Sequence, residues 1–110
     1  MRLPIDTSEM TFHVVSRPEP VRDPASGRGR TTSKGEPLFM VQLVASWRGT
    51  AGVIAVEVTR EPPSDVRPGA VVSVAGLAAA SWAVGNRSGL AFRAERIELT
   101  GGEARAGTAP

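Results

Sequence analysis

Hydrophobic and polar residues alternate along much of the chain with the period of two that is typical of β-strands. Five segments carry this alternation, or a run of β-branched and aromatic residues, between clusters of turn formers. They are residues 10–15, 38–47, 53–59, 70–77 with a continuation through 82, and 90–99. No segment sustains the helical period of 3.6 residues, so the pattern predicts five strands and little or no helix.

The second and third predicted strands form the clearest hairpin, with residues 48–52, RGTAG, as the turn. Ile54, Val56 and Val58 recur at every second position and therefore share one face. The last predicted strand changes phase at residues 95–96. A β-bulge there would keep all its apolar residues facing inward, since a bulge adds one unpaired residue. These residues are Leu90, Phe92, Ala94, Ile97 and Leu99.

The segments outside the predicted strands are polar and rich in glycine, proline and serine. Residues 23–36 contain no apolar side chain larger than alanine, so they predict a long flexible loop after the first strand. Residues 1–9 are expected to be a loosely ordered leader, and residues 101–110 a disordered tail. The predicted domain is therefore residues 10–100.

Several classes of chemistry find no support in the sequence. The chain has no cysteine, which excludes a disulfide framework, a thiolate zinc site and a cysteine nucleophile. The single histidine, His13, has no second histidine or carboxylate pair near it in sequence, so we expect it to be exposed rather than catalytic or metal-binding. No phosphate-binding glycine motif occurs. We therefore expect a protein that is not an enzyme and that holds no cofactor or metal.

No segment is apolar enough to cross a membrane, and the first residues lack the apolar run of a signal peptide. We therefore expect a cytoplasmic protein without a membrane partner. Of the 13 basic residues, 12 are arginine, the side chain that pairs bidentately with phosphate and stacks on bases. A GC-rich genome would also enrich arginine, so the position of each arginine is more informative than their number.

Residues 67–76, RPGAVVSVAG, and residues 92–99, FRAERIEL, resemble the closing half of an OB-fold barrel. In that family a strand with Pro-Gly, alternating valines and a glycine precedes a strand that ends in Ala-x-x-Ile. The resemblance implies an all-β, five-stranded antiparallel OB-type barrel. Such barrels bind oligonucleotides on strands two and three, between the loops after strands one and four.

The chain also resembles, more loosely, small regulatory proteins of actinobacterial plasmids and integrative elements. The matching residues are 19–23, 31–34, 37–43 and 90–97. This resemblance implies a role in the replication, transfer or excision of a mobile element.

The loops after strands one and four are locally basic. Trp47 ends the second predicted strand, and Trp82 opens the loop after the fourth. Basic grooves with aromatic platforms are how proteins bind single strands without sequence preference. The candidate nucleic-acid contacts are Arg28, Arg30, Lys34, Trp47, Arg48, Trp82, Arg87 and Arg93. The alternatives are a solvated surface loop for the basic residues and packing at the barrel rim for the tryptophans.

Two functions remain open on the sequence alone. The first is non-catalytic binding of single-stranded DNA. The sequence does not distinguish RNA from DNA as the ligand, and it leaves a homodimer or larger homo-oligomer open. The second is a protein–protein adaptor or regulatory subunit that uses the same barrel face. The formal net charge of only +2 argues against nucleic acid, because dedicated binders are usually more basic.

Overall fold

The computed structural model describes residues 2–22, 26–32 and 34–100, and within these ranges it contains no helix. Nine strands in this described part of the chain form one sheet. They are β1 (Arg2–Pro4), β2 (Met10–Val14), β3 (Glu19–Pro20), β4 (Phe39–Trp47), β5 (Thr50–Val58), β6 (Val71–Ala75), β7 (Ala78–Val84), β8 (Arg87–Ala94) and β9 (Arg96–Leu99). The prediction of an all-β chain with little or no helix is confirmed. The predicted five antiparallel strands are wrong, because the described residues form nine strands and β5 pairs with β8 in parallel. The predicted tail, residues 101–110, lies outside the described residues.

The sheet curls because its pairings follow a path that returns to its start. β2 pairs antiparallel with β4 and with β6, and β4 pairs antiparallel with β5. β5 pairs in parallel with β8, while β9 pairs antiparallel with β6. Because Glu95 alone separates β8 from β9, the path β2–β4–β5–β8–β9–β6 leads back to β2. This arrangement is consistent with an OB-type fold.

The additional strands arise from local breaks and from one unpredicted pairing. Pro18 lies between β2 and the two-residue β3, and both of these strands pair with β4. Gly76, with φ of 68°, separates β6 from β7, so residues 78–82 begin a new strand rather than continue the previous one. Glu95 breaks the last predicted strand where its phase changes, and its N–H donates to the carbonyl of Ala75 at 2.8 Å. Arg2–Pro4, within the predicted leader, pairs with β7.

A single core fills the curled sheet. It consists of Phe12, Val14, Val41, Leu43, Val56, Val58, Val66, Val72, Val74, Leu77, Ala94 and Ile97. The face of the sheet that carries these side chains is called the inner face below, and the opposite face the outer face. The inward position predicted for Leu90 is wrong, since that residue is 61% exposed. Its strand pairs with β5 only from Phe92 onward, so Leu90 lies beyond the core.

Two hairpins extend from the barrel. The β4–β5 hairpin confirms the predicted pair, but its turn is Arg48–Gly49 rather than residues 48–52, because β5 begins at Thr50. The β7–β8 hairpin turns at residues 85–86. The pairing between the hairpins is limited to residues 56–58 of β5 and 92–94 of β8. Since that pairing is parallel, both hairpin tips extend from it in the same direction.

Candidate nucleic-acid interface

Three of the eight predicted contact residues share the outer face of the β7–β8 hairpin. Trp82 pairs with Gly89, and Arg87 and Arg93 occupy alternate positions of the same strand as Gly89. Cross-strand partners and alternate residues point to the same side of a sheet. Phe92, one position from Arg93, packs against the core, so these three side chains point outward. The hairpin therefore presents an indole and two guanidinium groups on one surface.

Gly89 creates the space in which the Trp82 ring lies. A Cβ placed on Gly89 would be 2.9 Å from Cζ2 of Trp82 and 3.1 Å from both Cε2 and Nε1. Any side chain at position 89 would therefore displace the indole. Trp82 is 42% exposed even so, which leaves aromatic surface open for stacking.

The two arginines on this face differ in their surroundings. Arg93 Nη2 donates to Glu57 Oε1 at 3.0 Å, and the Glu57 side chain is 16% exposed against 42% for Arg93. Arg87 lies at the exposed tip, and within the described residues no carboxylate forms an ion pair with it. Arg87 is thus the freer cation, while Arg93 is partly neutralised at the base of the hairpin.

Trp47 lies on the other face. It follows Val41 and Leu43 at alternate positions of β4, so it extends from the inner face, where its neighbours across the strands are Met10 and Thr50. At the end of the strand it has passed the core and is 48% exposed. The structure therefore does not combine Trp47 and Trp82 into one continuous stacking platform.

Arg48 covers part of Trp47. Its guanidinium carbon lies 4.9 Å from the centroid of the indole, within the range of a cation–π contact. Its Nε and Nη2 both lie 2.8 Å from Glu9 Oε1. A shallow groove surrounds these side chains, lined by Asp6, Ser8, Glu9, Met10, Trp47 and Arg48. The Ser8 N–H donates to Asp6 Oδ1 at 2.9 Å and lowers the pKa of that carboxyl, so two carboxylates offset the single guanidinium here.

Arg28, Arg30 and Lys34 lie at the opposite end of β4. The Arg30 N–H donates to Val21 at 2.7 Å, and its carbonyl accepts from Leu38, the residue before β4, at 3.0 Å. The nine residues of β4 span about 26 Å at the usual strand rise. The structure therefore separates these exposed basic residues from Trp47 and Arg48. Residues 23–25 and 33 of the predicted flexible loop lie outside the described residues, and the mobility of the loop stays a prediction.

Three residues that matter for this surface were not predicted. Glu9 and Glu57 pair with candidate arginines over 39 and 36 positions in sequence, distances at which no local pattern connects two residues. Gly89 did carry a signal, because a glycine inside a strand often marks a close approach of another group. Gly89 lies within β8, although the last predicted strand began only at residue 90.

His13 is exposed on β2, as predicted, with its cross-strand neighbour Val44 in β4. Within the described ranges, no three side chains of histidine, aspartate or glutamate cluster in a way that could hold a metal ion. Those ranges also contain no helix long and apolar enough to span a membrane.

No protein-family model matches the sequence, and a search of curated proteins found no significant match. The structure is similar to that of the mitochondrial single-stranded DNA-binding protein Rim1 from S. cerevisiae. The TM-score is 0.55 at 18% sequence identity, over 90% of this chain and 91% of that one. At this identity the similarity concerns the fold, and it agrees with the OB-type barrel that the strand pairings indicate.

Proposed function

We propose that the protein binds single-stranded DNA without catalysis, and that the outer face of the β7–β8 hairpin is its principal contact surface. The observation that carries the proposal is the position of Trp82. Its indole lies over Gly89, exposed on the same face as Arg87 and Arg93. The fold shared with a protein described as a single-stranded DNA-binding protein supports it.

The spacing on this face suits an extended strand of nucleotides. Arg87 and Arg93 are six positions apart on β8, which corresponds to about 20 Å along the strand. Between the two arginines, the outward residues other than Trp82 are small. Trp82 pairs with Gly89, and Ala80 pairs with Ala91. Bases can therefore approach the backbone closely while phosphates reach the two guanidinium groups, the combination used by sequence-neutral single-strand binders.

The other candidate residues extend the proposed interface. Trp47 with Arg48, and the loop residues Arg28, Arg30 and Lys34, would each contact a different part of a longer strand. RNA is the alternative ligand, and its affinity should be compared directly with that of DNA. The oligomeric state of the protein should be measured in the same experiments. On the looser sequence resemblance of residues 19–23, 31–34, 37–43 and 90–97, we further propose a role in the replication, transfer or excision of a mobile element. The proposed location is the cytoplasm.

The test is binding of labelled oligo-dT to Trp82→Ala across a salt series. We expect Trp82→Ala to lose about 1–3 kcal/mol of binding free energy, which is about fivefold to 150-fold in Kd. The slope of log K against log salt should stay unchanged, because stacking releases no counterions. Arg87→Ala should instead reduce that slope by about 0.7, the value for one phosphate contact on a single strand.

Leu90→Ala is the matched control, because Leu90 is 61% exposed on the opposite face of the same hairpin. It should bind like the parent protein. Equal affinities for Trp82→Ala and Leu90→Ala would exclude Trp82 as the stacking platform. Failure of the parent protein to bind DNA or RNA at low salt would exclude the function itself.

One observation favours the adaptor as a second candidate. The outer face of the β2–β4–β5 part of the sheet carries no Asp, Glu, Lys or Arg between β2 and the middle of β5, and Val53 on it is 62% exposed. Its residues are Thr11, His13, Gln42, Val44, Ser46, Ala51, Val53 and Ala55. Uncharged surfaces with exposed aliphatic side chains are typical of protein contacts. Under this alternative, Val53→Asp would abolish binding of the partner protein, as measured by sedimentation. Oligonucleotides would not bind to the parent protein at any salt concentration.

A further inference from the structure

We infer that Glu9 is a positioning residue for base stacking at Trp47. It holds the Arg48 guanidinium across one face of the indole and away from phosphate, so that a base stacks on the opposite face. The inference rests on the proposed function and adds a residue that was not a candidate for it.

Backbone geometry brings the three side chains together. Met10 pairs with Trp47 across β2 and β4, so Glu9, the residue before Met10, lies beside the β4–β5 turn. Arg48 is the first residue of that turn, with a φ of 47°, and its guanidinium carbon lies 4.9 Å from the centroid of the Trp47 ring. The register of β2 and β4 therefore brings Glu9 close to Trp47 and Arg48.

The contacts of Arg48 occupy one edge of its guanidinium. Two of its nitrogens, Nε and Nη2, lie 2.8 Å from the same Glu9 oxygen, and its planar group lies over the Trp47 ring. A phosphate would have to displace the carboxylate to use the same edge of the guanidinium. The indole is 48% exposed with Arg48 in place, so part of its surface remains accessible to a base.

Trp47 and Trp82 are therefore supported differently. Trp82 lies against the backbone of a glycine, whereas Trp47 lies against a cation whose position depends on a carboxylate from the segment before β2. Removal of the Glu9 charge should free Arg48 to leave the indole. Two measurable changes follow, one in the free protein and one in the complex.

The first measurement uses free protein in a Trp82→Phe background, where Trp47 is the single tryptophan. We expect Glu9→Gln to raise the quenching of Trp47 fluorescence by acrylamide, because the second indole face becomes accessible. Glu98→Gln is the matched control, since Glu98 forms an exposed ion pair with Arg96 on β9 and loses the same charge. Equal quenching in Glu9→Gln and Glu98→Gln would overturn the inference.

The second measurement is the affinity of the same variants for oligo-dT across a salt series. Freed Arg48 should contact one more phosphate, so the slope of log K against log salt becomes steeper by about 0.7. The affinity of Glu9→Gln relative to the background should then rise about fivefold between about 1 M and about 0.1 M salt. Glu98→Gln should show neither change.

The double variant Glu9→Gln/Arg48→Ala separates positioning from simple repulsion of DNA by Glu9. If the gain in slope disappears in the double variant, Arg48 is its source and the inference is supported. If the gain persists, Glu9 acts by its charge alone and the inference is wrong. If no variant binds oligonucleotide at low salt, the proposed function fails, and the quenching comparison still decides whether Glu9 positions Arg48.

Discussion

At the scale of single residues, the candidate interface depends on which group lies beneath each tryptophan. Gly89 leaves room for the Trp82 ring, and Arg48 lies over the Trp47 ring. Both indoles are nearly half exposed, although large aromatic side chains usually bury most of their surface. Surface that stays exposed contributes no burial free energy in the free protein, and a ligand that covered the rings would gain it.

Gly89→Ala should weaken oligonucleotide binding because the new Cβ would lie 2.9 Å from the Trp82 ring and shift it. We expect a loss of about 1 kcal/mol in binding free energy, the lower end of the range for one base stack, with an unchanged salt slope. Fluorescence titration in a Trp47→Phe background, where Trp82 is the single tryptophan, measures the affinity and reports a change in the surroundings of Trp82.

Gly52→Ala is the control for that substitution, because Gly52 also lies inside a strand and a Cβ there would meet no atom within 4 Å. It should leave binding as it is in the background protein. A Gly89→Ala variant that binds as tightly as Gly52→Ala would show that the position of the indole over residue 89 has no role.

At the scale of elements, the β4–β5 turn contains the strain of the hairpin. Arg48 and Gly49 have φ of 47° and 83°, the two positive values of a type I′ turn. Arginine is an unfavourable residue at the first position, where Asn or Gly is preferred because the left-handed region is strained for other side chains. Arg48 therefore lowers the stability of the turn, but it makes the contacts with Trp47 and Glu9.

The turn geometry predicts that Arg48→Asn is more stable than Arg48→Ala. Both variants lose the contacts with Glu9 and Trp47, so the difference between them reports backbone preference alone. We expect about 1 kcal/mol in favour of asparagine, or a Tm about 4–8 °C higher in a domain of this size. Thermal unfolding followed by circular dichroism provides the measurement, and equal Tm values would contradict the type I′ interpretation.

The sequence predicted those elements whose signal is local. Alternation identified the β4–β5 hairpin. The change of phase was located correctly at residues 95–96, but the predicted β-bulge within one strand is wrong, because Glu95 separates two strands with different partners. β1 was missed because Arg2–Pro4 are exposed residues without a pattern, and their strand exists only through pairing with β7. Leu90 was placed inward because alternation reports the face of a residue but not where the neighbouring strand ends. The Glu9–Arg48 and Glu57–Arg93 pairs depend on tertiary structure, and local spacing contains no trace of them.

At the scale of the whole molecule, the candidate residues fall into separate groups. Trp82, Arg87 and Arg93 share one outer face, Trp47 and Arg48 lie at the tip of the other hairpin, and the loop arginines lie about 26 Å from that tip along β4. A short oligonucleotide can therefore occupy one group, while a longer one can contact more. Site sizes of about 4–16 nucleotides per OB fold cover this range.

This separation predicts that protection of the loop depends on oligonucleotide length. Trypsin should cut after Arg28 or Arg30 in the free protein, since both are exposed. We expect about 16 nucleotides of oligo-dT to slow this cleavage and about 4 nucleotides to leave it unchanged at saturation, as the short strand occupies the hairpin alone. Cleavage after Arg60, which is also exposed but outside the candidate interface, is the control. Equal protection by both lengths would contradict separate groups.

The narrow parallel pairing between β5 and β8 also bears on how the β7–β8 hairpin fluctuates. Beyond Ala80, where the pairing with β1 ends, and before Phe92, where the pairing with β5 begins, the two strands pair with each other alone. A two-stranded hairpin is marginally stable by itself in water, so residues 81–91 should open without the barrel unfolding and exchange their amide hydrogens fastest among the strands. Any ligand of this hairpin then selects its folded form, and the apparent affinity is the intrinsic affinity multiplied by the fraction of molecules in which the hairpin is closed.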